Sequence, residues 1–72
     1  GGRSVSLTRD DVNARLSGVR SETGRKHFVV VGGYEYPVKQ ALEVVTGIHR
    51  SEFISYQARS VFRRLGFRLI ER

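Results

Sequence analysis

Residues 55–67 read SYQARSVFRRLGF, and the spacing of their apolar side chains predicts an amphipathic helix. At about 100° per residue, one side of this helix is apolar and consists of Ala58, Val61, Phe62 and Leu65. The opposite side, called the arginine face below, consists of Tyr56, Gln57, Arg59, Ser60, Arg63 and Arg64. We expect Ser55 to cap the start of the helix through its hydroxyl group. We expect Gly66 to end it in the left-handed conformation.

The interval around this helix is strongly basic. No acidic residue lies between Glu52 and Glu71, and Arg68 adds a further positive charge there. A helix side with uncompensated arginines is either simply solvated or in contact with an anion. We favour nucleic acid as that anion.

The whole chain has the same charge bias, with 13 basic against seven acidic residues and a formal net charge of +6. Eleven of the basic residues are arginine, whose planar fork suits bidentate contacts with phosphate or guanine. An arginine-rich genome is the alternative explanation. It explains the arginine-to-lysine ratio but not the clustering on one helix side.

Length and composition predict one small folded domain. The chain has 72 residues, 39 % of them hydrophobic, and a single proline. The absence of cysteine excludes disulfides and thiolate zinc sites. The longest apolar run, residues 28–31, is too short to cross a membrane, and nothing resembles a signal peptide, so we expect a cytoplasmic protein without a membrane partner.

The start of the chain lacks methionine, which predicts a processed protein or a piece of a longer one. We expect residues 1–5 to be a disordered tail or the remnant of a tag. Residues 6–72 then form a single nucleic-acid-binding domain. Its first helix begins at a cap on Ser6 or Thr8 and ends near Gly18. The apolar stripe of that helix is narrow and consists of Val12, Leu16 and Val19.

A β-hairpin is predicted in the middle of the chain. HFVVV at His27–Val31 has the β-branched and aromatic composition of a strand, and the glycine pair after it is a turn signal. Residues 34–36 return as the second strand. Tyr34 and Tyr36 then face the same way, and either stack on bases or close the core against a helix.

A second helix is predicted at residues 38–46, because Pro37 suits a helix start and Gly47 a helix end. Its buried residues are expected to be Val38, Ala41, Leu42, Val44 and Val45. Its outward residues are expected to be Lys39, Gln40, Glu43 and Thr46. The connector at residues 48–54 tucks Ile48 and Phe53 into the core, and residues 67–70 form a third strand.

The predicted fold is therefore α+β, with a small antiparallel sheet of two or three strands and three helices in the order α-β-β-α-α-β. We expect the residues Val30, Leu42, Val45, Val61, Phe62 and Leu65 to be largely buried. The last two helices are loosely helix-turn-helix-like or winged-helix-like. Their connector of about eight residues is longer than the 3–4 residues of that motif.

Other residues extend the predicted binding surface. Lys39 opposes the helix dipole at the start of the second helix, which is unfavourable unless an anion lies near. His49 and Arg50 in the connector can reach phosphate. The residues predicted to bind nucleic acid are Tyr56, Gln57, Arg59, Ser60, Arg63, Arg64, Lys39, Arg50, His49 and Arg68.

The histidines predict no catalysis. His27 and His49 lie far apart in sequence, without cysteine, a carboxylate pair or a nucleophile as partner. We therefore predict no metal, no cofactor and no enzymatic activity for this chain.

The stretch at residues 27–69 resembles a known family. The motifs Tyr36-Pro37-x-Lys39 and Ala58-Arg59-x-x-x-Arg63-Arg64-Leu65-Gly66-Phe67 resemble the N-terminal head domain of Streptomyces-type McrA-like modification-dependent HNH endonucleases and related restriction-protein modules. This resemblance implies a bacterial DNA-binding accessory domain of a larger restriction or DNA-processing protein that acts on modified DNA. The HNH zinc ligands and catalytic histidines have no counterpart here, which leaves open whether the parent protein is a nuclease.

We thus predict binding of double-stranded DNA, mainly through phosphates, with the helix at residues 55–65 at or in the major groove. One alternative is binding of single-stranded RNA or DNA on the sheet through Tyr34 and Tyr36. The other is a protein-interaction module whose arginine face meets an acidic partner. The sequence does not indicate the oligomeric state.

Overall fold

A computed structural model of the chain describes residues 7–24 and 26–72. Its elements are α1 (Arg9–Leu16), β1 (His27–Val31), β2 (Tyr34–Pro37), α2 (Val38–Thr46), a 3-10 turn (Arg50–Glu52), α3 (Ser55–Arg64) and β3 (Arg68–Glu71). The fold is α+β in the predicted order α-β-β-α-α-β. The tail predicted at residues 1–5 and the alternative cap Ser6 lie outside the described residues.

The sheet is antiparallel, with the strand order β2-β1-β3. The register places Val29 of β1 between Tyr36 of β2 and Leu69 of β3. These residues face the helices, since side chains alternate along a strand and Val29 and Tyr36 belong to the buried core. The other face of the sheet carries no helix and presents Phe28, Val30, Arg68 and Ile70.

One core cluster holds the helices against the inner face of the sheet. It consists of Val12, Leu16, Val29, Val31, Tyr36, Val38, Ala41, Leu42, Val45, Ala58 and Phe62. The predicted burial of Leu42, Val45 and Phe62 is confirmed. Val61 and Leu65 are only half-buried at the edge of the cluster. Val30 is also half-buried, because strand alternation turns Val29 and Val31 inward and leaves Val30 on the opposite face of the sheet.

The hairpin turn and the cap of α1 form as predicted. Gly32 and Gly33 have φ angles of 59° and 83°, the left-handed values that a two-residue hairpin turn requires. Thr8 accepts a hydrogen bond from the Asp11 amide at 3.1 Å, and the Asp11 carboxylate accepts one from the Thr8 amide at 3.1 Å. This reciprocal capping box fixes the start of α1.

Helix α2 has the predicted bounds, but one of its side chains faces the other way. Gln40, expected at the surface, is 3 % exposed. Its amide group donates to the Arg20 carbonyl at 2.9 Å, and its oxygen accepts from the Glu22 amide at 2.9 Å. Gln40 is buried because it satisfies backbone groups of the segment after α1.

The tyrosines of β2 divide between core and solvent. Tyr36 is buried, and its hydroxyl group donates to the carbonyls of Val19 at 2.9 Å and Leu16 at 3.3 Å. Tyr34 is 68 % exposed. Tyr36 therefore closes the core, which is one of the two predicted alternatives, and its ring is not available to stack on bases.

The connector before α3 differs from its prediction. Ile48 is 45 % exposed and does not join the core, whereas Phe53 is half-buried against it. Ser55 is the first residue of α3 and not its cap; the cap position is Ile54. The Ile54 amide donates instead to the side-chain oxygen of Gln57 at 3.0 Å.

The end of α3 is a Schellman motif. Gly66 has a φ angle of 85°, and its amide donates to the Arg63 carbonyl at 3.0 Å. The Phe67 amide donates to the Phe62 carbonyl at 3.0 Å. The rings of Phe62 and Phe67 pack edge to face, with their centres 6.0 Å apart. The predicted role of Gly66 is confirmed.

Arg9 of α1 holds this helix end from outside. Its guanidinium group donates to the carbonyls of Leu65 and Gly66, each at 3.0 Å. It also lies 4.7 Å from the centre of the Phe67 ring. The first helix is thereby tied to the end of the third.

Candidate nucleic-acid interface

The packing of α3 defines which side of the helix meets solvent. Ala58 and Phe62 are fully buried, so the opposite side points outward. Tyr56 is 65 % exposed there. Gln57, Arg63 and Arg64 are also exposed, whereas Arg59 and Ser60 are half-buried. The arginine face is thus a surface, with Arg59 and Ser60 partly shielded.

The cations of this face have no carboxylate partner within the part of the chain that the structure describes. Salt bridges to carboxylates there involve Lys26, His27, His49, Arg50 and Arg72. Arg15 of α1 is in none of these salt bridges, and its guanidinium group donates to the Val45 carbonyl. Arg59, Arg63 and Arg64 form no such pair, so positive charge concentrates on α3.

Arg50, predicted to contact phosphate, is already paired. Its guanidinium group lies 2.8 Å from a Glu22 oxygen and 2.7 Å from a Glu43 oxygen, and its amide donates to Glu43 at 3.0 Å. Hydrogen bonds from Arg50 lower the pKa of both carboxyl groups, and those carboxylates raise the pKa of Arg50. Arg50 thereby joins the connector to α2 and to the segment after α1, and its contact with phosphate stays a prediction.

His49 lies next to this cluster at the surface. Its Nδ1 accepts from the Ser51 amide at 3.1 Å and caps the 3-10 turn. Its Nε2 lies 3.9 Å from a Glu43 oxygen. His49 is therefore exposed and lies beside a carboxylate.

Lys39 lies in the first turn of α2 and is half-buried. It borders a cleft of about 650 Å³. The residues lining this cleft include no carboxylate and are Lys26, His27, Pro37, Val38, Lys39, Arg50 and Ser55. Lys39 makes no salt bridge with any described carboxylate.

The sequence interpretation missed Lys26 and His27 at this cleft. The signal for them is the register of the hairpin. A two-residue turn pairs Phe28 with Pro37, and continuing that pairing brings the residues before β1 against the start of α2. Lys26 and Lys39 therefore line the same cleft.

A second, smaller cleft of about 190 Å³ lies between α3 and β3. Its lining residues are His27, Arg59, Arg63, Leu69, Ile70 and Glu71. Within it, the buried Nε of Arg59 has no hydrogen-bond partner among the described residues, and the guanidinium carbon lies 5.9 Å from the Tyr56 ring centre. His27 borders both clefts and so links them.

Arg68 is separate from this surface. The register places it opposite Val30, on the face of the sheet that carries no helix. It is exposed, but the structure does not bring it together with the arginine face.

Among the described residues, no helix has the length and apolar character needed to cross a membrane. No group of three or more His, Asp or Glu side chains within residues 7–24 and 26–72 could hold a metal ion.

Comparison with known proteins links the chain to one family. A family model described as SCO5918-like matches residues 3–72, nearly the full sequence. No curated protein and no solved structure matches the chain.

Proposed function

We propose that this chain, which belongs to the SCO5918-like family, binds double-stranded DNA through the arginine face of α3. The observation that carries the proposal is the set of three arginines on one side of the helix, none of them paired with a described carboxylate. Guanidinium groups bind phosphate oxygens in a bidentate manner. The dominant contribution is therefore phosphate contact.

The shape of α3 supports a duplex. The helix has 10 residues, which corresponds to about 15 Å. A major groove about 12 Å wide admits one α-helix. In this proposal, Tyr56 and Gln57 near the start of the helix contact base edges, and Arg63 and Arg64 near its end contact phosphates.

The burial of Tyr36 weakens the single-strand alternative. A base cannot stack on a ring inside the core, so only Tyr34 of the predicted pair is available. The protein-interaction alternative uses the same arginine face, and a competition experiment separates it. The resemblance to the McrA-type head domains stays a prediction.

Fluorescence anisotropy with a labelled duplex, titrated at several salt concentrations, tests the proposal. Neutralisation of three or four phosphates gives a slope of log affinity against log salt of roughly −3 to −4. Replacing Arg63 and Arg64 with alanine removes two contacts. We expect the slope to flatten by about two units and affinity at 0.1 M salt to fall about 60-fold.

The matched control replaces Arg20 and Arg68, two exposed arginines outside α3, and removes the same charge. This pair should change the slope only slightly. Equal losses of duplex affinity in the two double variants would show that binding depends on net charge alone. An affinity and salt slope unchanged in R63A/R64A would refute the role of α3. Single strands should bind more weakly than the duplex, and polyglutamate that competes as well as DNA would favour an acidic protein partner.

A further inference from the structure

We propose that the two clefts beside His27 form one phosphate-binding groove, which holds two phosphates of the same DNA strand. Lys39 and Lys26 contact one phosphate, and Arg59 and Arg63 contact the other. The inference rests on the proposed function for the identity of the strand. Anion binding in the groove does not depend on it.

Both clefts border the same side of α3 and share the lining residue His27. Ser55, Arg59 and Arg63 follow one another at four-residue intervals, so they lie on the same flank of the helix. Ser55 lines the larger cleft, and Arg59 and Arg63 line the smaller one. The helix therefore forms one wall of the groove, and His27 lies where the two clefts meet.

The charges that face the groove come from every element around it, and most of the carboxylates are engaged. Glu22 and Glu43 are taken up by Arg50. Glu71 of β3 lies 3.7 Å from His27 and 3.9 Å from Lys26, and its side chain is exposed. Such an exposed pair is weak, and a phosphate can displace it.

Three of the four cations that the proposal uses have no carboxylate partner among the described residues, and the fourth, Lys26, has only the exposed pair with Glu71. Lys39, Arg59 and Arg63 take part in none of the salt bridges. Lys39 also lies in the first turn of α2, which contains no acidic residue. A positive charge there opposes the helix dipole, and an anion in the cleft offsets that repulsion.

Arg59 gives an independent indication of a missing acceptor. A buried donor without a hydrogen bond is costly, and native proteins rarely retain one without a reason. The Nε of Arg59 is such a donor, in a guanidinium group that lies near the Tyr56 ring and borders the smaller cleft. A phosphate in that cleft can contact the guanidinium group, because Arg59 is one of the residues lining it.

The first test replaces Lys39 with glutamine, which keeps much of the apolar stem and removes the charge. Loss of one phosphate contact should flatten the salt slope by about one unit and weaken duplex binding about eightfold at 0.1 M salt. The matched control is R20Q, which removes an exposed charge outside the groove. Equal effects of K39Q and R20Q on the slope would overturn the groove.

Because Lys39 is half-buried, its variant needs a thermal melt, and a second variant protects the test against misfolding. Lys26 is exposed, so K26Q should fold normally. It should change the salt slope in the same direction and by less, since Glu71 already shares that charge. The proposal would be overturned if K26Q had the same salt slope as the unmodified protein and K39Q had the same salt slope as R20Q.

A DNA-free measurement separates this inference from the proposed function. Pyrophosphate and inorganic phosphate are titrated into the ¹⁵N-labelled protein, and amide shifts are followed by NMR. We expect shifts at His27, Lys39, Ser55 and Arg59 that K39Q reduces. Such shifts without duplex binding would refute the proposed function and keep the groove as a site for free phosphate. Duplex binding without any shift in the groove would refute the groove alone.

Discussion

Replacing Gly66 with alanine should destabilise the domain more than the same change at Gly47, although both glycines end a helix. Their φ angles are 85° and 76°, so an alanine at either position is forced into the left-handed region. That conformation costs a residue with a Cβ atom about 1–2 kcal/mol. The two penalties would be equal if backbone strain were the whole effect.

The surroundings of the two positions differ. A Cβ atom at Gly66 would lie 2.8 Å from Nη1 of Arg9, whereas one at Gly47 would meet nothing within 4 Å. The alanine at position 66 therefore displaces the guanidinium group from the two carbonyls it binds. A hydrogen bond of this kind contributes about 0.5–1.5 kcal/mol, so we expect G47A to cost about 1–2 kcal/mol and G66A about 2–3 kcal/mol.

Urea denaturation followed by circular dichroism measures both changes. A domain of this size is stable by about 4–11 kcal/mol, so both variants should fold. The cycle is completed with R9A and R9A/G66A, in which the extra cost at Gly66 should vanish. Equal costs for the two glycines, or an unchanged cost of G66A without Arg9, would refute the role we assign to Arg9. Equal m-values in all proteins are the control.

Three further predictions concern the core and the ion-pair cluster. Phe62→Ala should cost about 3–5 kcal/mol in urea denaturation, and near-native stability would show that α3 does not pack through this ring. Tyr36→Phe should cost about 1–2 kcal/mol, because two backbone carbonyls lose their buried donor; an unchanged urea midpoint would contradict the hydrogen bonds. Arg50 lowers the carboxyl pKa of Glu22 and Glu43 below the ordinary value of 4.5, so their contribution to stability is full above pH 4.5 and is lost as pH falls through the lowered values. Thermal melts from pH 7 to 3 should therefore fall less steeply for Glu43→Gln, and identical pH profiles would speak against the pairing.

Local signals in the sequence were sufficient for much of the fold. The HFVVV run and the glycine pair predicted the hairpin, because strand composition and turn conformation depend on neighbouring residues. Pro37 and Gly47 marked the ends of α2 for the same reason. Gly66 marked the end of α3. Each of these residues acts through backbone preferences that need no distant partner.

The errors involve residues whose environment depends on distant segments. Gln40 is buried because it bonds the backbone of residues 20 and 22, which no helical periodicity reveals. Val30 was expected to be largely buried and is half-buried, because HFVVV is apolar at every position and does not reveal which residues face the helices. Ser55 has a side chain suited to a cap, but the helix starts at Ser55 itself, and the side-chain oxygen of Gln57 accepts the hydrogen bond from the Ile54 amide.

The candidate site was predictable in part. Helical periodicity predicted the outward side of α3, and the burial of Ala58 and Phe62 confirms that orientation. Helical periodicity could not predict that Arg50 pairs with Glu22, because Glu22 lies 28 residues away and comes near only in the folded chain. Lys26 was missed because its place at the cleft depends on how the hairpin packs against α2, which the local sequence does not show.

The two-residue turn between β1 and β2 makes the chain intolerant of insertions at one point. Adding a single residue between Gly32 and Gly33 would slip the strand pairing by one position, unless it were absorbed as a bulge. Because β1 stays paired with β3, the edge strand β2 would turn over, and Tyr36 would leave the core face. Turn length, more than turn composition, therefore couples the folding of this domain to its surface. Length variants in this turn should be far rarer than substitutions.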